Sequence, residues 1–290
     1  MTLTIEVDNL SLNYKKFTAI KDISFKMEDQ KIYGLLGRNG AGKTSLLSLL
    51  ASYRQQSEGS IKIYGQSPFE NASIMQNVAY IYEKDYSNEN ENVKTMLNIV
   101  QRYRPNFDME YAQHLVKRFK LPLDRPVNKL SKGMKSALNV TMGLAGRSAI
   151  TMFDEAYLGM DAPTREIFYQ ELLEDQAQNP RTMILSTHLV SEMDYLFDEV
   201  IIIDKGKIIL QENYEDLVSR GASITGVAGS VDEFVQGIQL LNEQRLGNTK
   251  SVMIYGHLSD ERRIEAQKKG LEVGPVSLQD LFIHLTREES

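Results

Sequence analysis

The chain has 290 residues, 42% hydrophobic and 25% charged, the composition of an ordinary globule able to bury a sizeable core. It has no cysteine, which excludes structural disulfides, thiol catalysis and cysteine-based zinc sites and fits a reducing compartment. The net charge of −6, with seven basic and ten acidic residues between 222 and 290, argues against nucleic acid as a partner, because that ligand demands a basic face.

The opening MTLTIEVDNLSLNY carries acids and no apolar core of signal-peptide type. No uncharged run approaches the roughly 20 apolar residues needed to cross a bilayer, so any membrane role is expected to pass through a partner. LTIEV (3–7) and ISFKM (23–27) alternate as strands do, and KIYGLLG (31–37) reads as a buried strand feeding a glycine loop. A helix is expected from Lys43, followed by strands at SIKIYG (60–65) and NVAYIY (77–82). From about 84 to 146 the apolar period is helical, broken by Pro105, Pro122 and Pro126. AITMFD (149–154), TMILST (182–187) and EVIIID (199–204) are short and uninterruptedly apolar, with helices expected at 164–176 and 189–197 between them. Such alternation predicts a parallel α/β sheet. KGKIILQ (205–211) reads as the return arm of a hairpin. Beyond Arg220 the texture predicts a small α+β appendage over 221–290, with strands at GASITGVAGS and SVMIYGHLS and helices at VDEFVQGIQLLNEQ and SLQDLFIHLT.

Gly37 to Thr44 fits G-x-x-x-x-G-K-[ST] at every position and lies between an expected strand and an expected helix. Glycine lets the backbone curl around a phosphate without a Cβ in the way. Successive amides of Gly37, Arg38, Asn39, Gly40, Ala41, Gly42, Lys43, Thr44 and Ser45 would form an anion nest at a helix N-terminus. Lys43 would meet the β and γ phosphates, and the Thr44 hydroxyl suits Mg²⁺. ATP and Mg²⁺ are therefore the expected ligands. Asp154 and Glu155 close an apolar strand 111 residues after Lys43, at the sheet edge where α/β proteins bind ligands. Asp154 is placed to hold Mg²⁺ through its water, and Glu155 to polarise the water that attacks the γ phosphate. An isolated acidic pair would more often cap a helix or face solvent.

The segment NKLSKGMKSALNV (128–140) selects among phosphate-loop machines. Its Leu130, Ser131, Lys132, Gly133 and Met134 resemble the LSGGQ signature of ABC-type ATPases, in the LSKGM form of many bacterial members. Ser131 is expected to cap the helix beginning near Lys132 and to offer a second anion site.

The resemblance covers roughly residues 3–215. It implies a phosphate-loop ABC cassette: a RecA-like parallel sheet, an N-terminal antiparallel β subdomain, and a helical signature subdomain at about 84–146 within a nucleotide-binding domain of residues 1–220. It places Tyr14 where the family stacks an aromatic on adenine, Asp161 at the D-loop, and His188 as the switch histidine at the γ phosphate. Glu83 stands where the family has its Q-loop glutamine, a departure that keeps metal or water ligation possible but removes a hydrogen-bond donor. LGMD also departs from the commoner SALD. The resemblance further implies that two subunits, identical or paralogous, pack head-to-tail, the signature of one closing over the loop of the other.

Permease subunits of the membrane would dock near Glu83, leaving the chain cytoplasmic and peripheral on the inner face of the cell membrane. The ending VSLQDLFIHLTREE is similar to that of cassettes driving export of antimicrobial peptides, drugs and phenol-soluble modulins. An importer ATPase is the alternative, and a soluble ABC-type ATPase acting on nucleic acid or ribosomes is a more distant one.

Overall fold

A computed structural model describes residues 3–15, 17–238, 240–256 and 258–286. Along the chain run β1 (Leu3–Tyr14), β2 (Phe17–Glu28), β3 (Ile32–Leu36), α1 (Lys43–Leu50), β4 (Glu58–Ile63), α2 (Ala72–Met75), β5 (Val78–Ile81), α3 (Val93–Tyr103), α4 (Met109–Arg118) and α5 (Lys132–Ala145). Then follow β6 (Ile150–Asp154), α6 (Ala162–Gln178), β7 (Thr182–Thr187), α7 (Val190–Met193), β8 (Glu199–Asp204), β9 (Lys207–Asn213) and α8 (Tyr214–Ser219). The last stretch holds β10 (Gly221–Val227), α9 (Ala228–Phe234), β11 (Leu240–Leu246), β12 (Thr249–Tyr255), α10 (Asp260–Lys268), β13 (Glu272–Pro275) and α11 (Leu278–Leu285).

The central sheet has the order β5-β6-β7-β3-β8-β9. Its first five strands are parallel and β9 returns antiparallel to β8. Strands β3, β6 and β7 are buried at every residue, because helices and the second sheet cover both faces. That second sheet, β2-β1-β4, is antiparallel. Its inward residues Ile5, Val7, Phe25 and Ile61 form one core cluster with Leu46, Leu47 and Leu50 of α1 and Met152 and Ile184 of the central sheet. On the other face, α3, α4 and α5 share a larger cluster with α6 and the sheet, including Leu97, Leu115, Leu138, Phe153 and Phe168.

A four-stranded antiparallel sheet, β11-β12-β10-β13, makes up the last part of the chain and has its own buried cluster around Ile224, Phe234 and Ile254. Leu278, Leu281 and Phe282 of α11 instead join the main cluster, so this last helix ties the appended sheet to the core. The predicted helix over VDEFVQGIQLLNEQ is not continuous: α9 stops at Phe234 and β11 begins at Leu240. Gly237, at φ 79°, takes a left-handed turn between them, and Leu240 pairs with Ile254 as a strand. Likewise the strand predicted through GASITGVAGS ends at Val227, where α9 begins. The last residues of the ending quoted above, 287–290, lie outside the described residues.

The helices are fastened to the core by buried charge. Asp175, 1% exposed on α6, accepts from Arg147, and from Arg181 at 2.5 Å; Arg147 also reaches Asp108 at the start of α4 at 3.2 Å. Burial, reinforced by the like charge of Arg147, pushes the Arg181 guanidinium down to about 10, still charged at neutral pH. Replacing Asp175 by Ala leaves the buried Arg181 guanidinium without its carboxylate, and is expected to cost about 3–5 kcal/mol in a denaturant melt. A midpoint equal to that of the native chain would show that this carboxylate does not hold the joint.

Candidate nucleotide site

The site begins where β3 ends. The chain leaves the sheet at Gly37 and re-enters regular structure at Lys43, the first residue of α1. The N-cap of α1 is Gly42, at φ 114°, with no side-chain cap and no acid in the first turn. The positive end of the helix is thus left uncompensated, with amide donors free of side-chain partners, which suits an anion. A Cβ on Gly42 would lie 3.0 Å from the Ala19 carbonyl oxygen, so both the backbone angle and the space demand glycine. Lys43, 6% exposed, curls back to donate to the Gly37 carbonyl at 2.7 Å and lies 3.4 Å from Glu155 Oε1.

The opposite wall comes from the adjacent strands β6 and β7, which pair Asp154 with Ser186. Asp154 Oδ1 accepts from the Ser186 hydroxyl at 2.5 Å and Oδ2 from Tyr80 at 3.0 Å. Burial first, and Asp154 next, push the Tyr80 phenol upward, so it stays a donor. Glu155 follows in the left-handed region, φ 51°, a strained conformation for a non-glycine residue. Its amide donates to the Ser186 carbonyl at 3.3 Å. His188 Nδ1 lies 2.7 Å from Glu155 Oε2. An ionised carboxylate only accepts, so Nδ1 carries the proton in that contact.

A cavity of about 500 Å³ brings together Tyr14, Arg38, Asn39, Gly40, Ala41, Gly42, Lys43, Thr44, Ser45, Glu155 and His188. Phe17, Ala19 and Leu158 complete its lining. Tyr14 lies at its margin with the Arg54 guanidinium over the ring at 5.0 Å. Gly37, Asp154, the signature residues, Glu83 and Asp161 do not line this cavity. Ser131 is the N-cap of α5, accepting from the Met134 amide at 3.2 Å. Asp161 caps α6, accepting from the Thr164 amide at 3.0 Å; the Thr164 hydroxyl and amide hold its carboxyl below the usual range. Glu83 pairs with Lys132 at 2.9 Å, both side chains more than half exposed. The signature and the 158–161 segment are packed as one unit: Ser136 donates to the Leu158 carbonyl at 2.6 Å, and Gly133 abuts Gly159.

Several residues of the site carry no motif. Ser186 and Tyr80 on Asp154, Phe17 in the lining, and Tyr157 and Thr187 beside Glu155 become visible only once the strands are paired. The one cue in the sequence is that Ser186 and Thr187 end a buried strand with hydroxyls.

The fold and this constellation define an ATPase of the phosphate-loop α/β class. The ABC transporter family model matches residues 20–158. The ABC transporter ATP-binding protein YtrB of Bacillus subtilis is 27% identical over 96% of this chain and 97% of its own length. The Nod factor export ATP-binding protein I of Mesorhizobium japonicum is 23% identical over 99% of this chain and 88% of its own. A dimeric ATP-binding cassette solved in a post-hydrolysis state, bound to ADP and Pi, superposes with a TM-score of 0.63 at 16% identity, covering 72% of this chain and 98% of that one. Over nearly its whole length the chain is thus similar to ABC transporter ATP-binding proteins, and its site has the make-up of an ATP hydrolase. Among the described residues no helix is long and apolar enough to cross a membrane.

A Cβ at Gly133 would stand 2.5 Å from the Gly159 carbonyl oxygen. Gly133→Ala is therefore expected to cost about 1–3 kcal/mol of stability through overpacking against backbone. Glu83→Gln, which breaks only an exposed pair, should stay within about 0.5 kcal/mol of the native chain. Urea melts of the two variants side by side measure both values, and equal midpoints would contradict the packing at Gly133.

Proposed function

We propose that this subunit works as a head-to-tail pair around two Mg-ATP and drives export of a peptide, toxin or drug through separate membrane subunits. One observation carries the reading. Lys43, Glu155 and His188 converge on one cavity at an uncapped helix N-terminus, while Ser131, capping a second helix, lies outside it. Two half-sites on one chain are what a head-to-tail pair would join.

In this reading the amides from Gly37 to Ser45 cradle the phosphates, Lys43 neutralises them, and Tyr14 stacks on adenine. Ser131 of the second copy, with Leu130, Lys132, Gly133 and Met134 around it, closes over the γ phosphate. Asp161 crosses the seam between copies. Glu155 takes a proton from the attacking water as its oxygen bonds to the γ phosphorus and the bond to the β-γ bridging oxygen breaks, leaving ADP and phosphate. His188 turns to the γ phosphate.

The residues also fit Mg²⁺. The Thr44 hydroxyl is exposed at the loop, and Asp154, holding two hydroxyl donors, keeps further lone pairs for metal-bound water. The metal would offset charge on the phosphates. Glu83 would join its water shell only on release from Lys132.

A groove of about 560 Å³ lined by Tyr53, Phe69, Met75, Tyr80 and Arg104 supports permease docking close to Glu83. Its aromatic cluster includes Tyr82, the neighbour of Glu83. Such docking would hold the chain on the inner face of the cell membrane as a peripheral cytoplasmic subunit. Residues 1–220 are then the nucleotide-binding unit and 221–290 the appendage, whose separate sheet and buried cluster support the division.

Glu155→Gln should lower turnover by at least about a hundredfold while retaining ATP and accumulating an ATP-dependent dimer in gel filtration. Turnover at the native rate would remove Glu155 as the base. Ser131→Arg should abolish that dimer with ATP binding intact; a dimer that still forms would rule out head-to-tail closure. For direction, inside-out vesicles bearing the permease should accumulate labelled peptide on ATP addition, and accumulation only in right-side-out vesicles would replace export by import.

A further inference from the structure

The phenol of Tyr157 is almost wholly buried, yet it sits against the Glu155 carboxylate at the cavity wall. Tyr157 is 2% exposed and its hydroxyl meets Glu155 Oε2, Thr187 Oγ1 at 2.9 Å and His188 Nδ1 at 3.3 Å. Two overlapping turns, closed by Leu158 N to Glu155 O at 3.0 Å and Met160 N to Tyr157 O at 3.0 Å, fold the ring back beneath the carboxylate two residues earlier.

The protons in this cluster can be assigned by elimination. Ionised Glu155 only accepts, so the single phenolic proton goes to Oε2. With that proton committed, the contact between Thr187 and the phenol at 2.9 Å must use the Thr187 proton, while the Thr187 oxygen accepts from the Leu189 amide at 2.9 Å. The Thr187 hydroxyl thus fixes the phenol, and the phenol fixes one oxygen of Glu155. Lys43 and His188 also touch that carboxylate, at Oε1 and Oε2. Both are lysine or imidazole donors at the open cavity, the groups an incoming anion would draw away. Tyr157 is buried and cannot follow.

We propose that Tyr157 is a positioning residue for hydrolysis: its hydroxyl, held by Thr187, keeps the Glu155 carboxylate aimed into the cavity when Lys43 and His188 turn to the phosphates. The inference rests on the reading of Glu155 as the base. It gives a function to an aromatic side chain in the turn after β6, where a hydroxyl-bearing ring fills space that a small residue would leave to water. The burial that keeps the ring in place also pushes the phenol upward, with the Glu155 contact adding to it, so the group remains a donor over the working range.

Tyr157→Phe deletes the hydroxyl and leaves the ring. The expected result is a fall in kcat of about ten- to a hundredfold, from a carboxylate free to rotate, with KM for ATP within about twofold and a thermal midpoint close to native. A folded Tyr157→Phe with native kcat, or with a loss confined to KM, overturns the inference. Should that variant fail to fold, Thr187→Val releases the phenol without touching the ring. Its kcat should fall with KM retained, while Thr187→Ser keeps native kcat; a native kcat in Thr187→Val overturns the proposal. Glu155→Gln assayed in parallel separates the two levels. If it turns over ATP at the native rate, the assignment of the base has failed. If it is inactive while Tyr157→Phe is native, only the role of Tyr157 has failed.

Discussion

The arrangement depends on parallel pairing in one sheet. Because β3, β6 and β7 run in the same direction and lie side by side, their carboxyl ends open on one edge. The loop after β3, the acids after β6 and the histidine after β7 are thereby neighbours, although they are spread from residue 37 to residue 188. Parallel strands need covered faces and long crossovers, so the helices that cover this sheet are a condition of the site and not an ornament to it. Asp154 shows the consequence at atomic scale. Its carboxylate is gripped by Ser186 from the adjacent strand β7 and by Tyr80 from β5 on the other side.

A second consequence concerns the parts that lie outside the cavity. The signature and the 158–161 segment are locked together within the chain through Ser136, Gly133 and Gly159. Glu83 is joined to that unit through Lys132, and the aromatic cluster of Tyr53, Tyr80 and Tyr82 continues from Glu83 to Asp154. A continuous run of contacts thus links the proposed docking groove, the signature and the sheet edge. Its exposed member, the Glu83–Lys132 pair, is the weak joint, since a solvated ion pair is worth at most about 1 kcal/mol.

Much of this was legible in the residues alone. The loop from Gly37 to Thr44, the acidic pair at 154 and 155, the capped helix at Ser131 and the uninterrupted apolar strands are all local patterns. Local patterns are set by backbone sterics, capping and burial period, which act over a few residues and leave a direct mark in the sequence. The helical reading held to Phe234 and failed beyond it, because apolar residues there suit either period, and a single left-handed glycine together with pairing to β12 decided the outcome.

What the sequence by itself determined is the phosphate-binding turn, its strand-and-helix setting and the presence of a second helix cap of the same kind. Tertiary structure alone decided which groups those turns face: His188 on Glu155, Tyr80 and Ser186 on Asp154, Lys132 on Glu83. The physical reason is that a side chain's partner across a sheet is chosen by strand order and register. Those are properties of how distant segments bury their apolar faces together, and no short window of residues contains them.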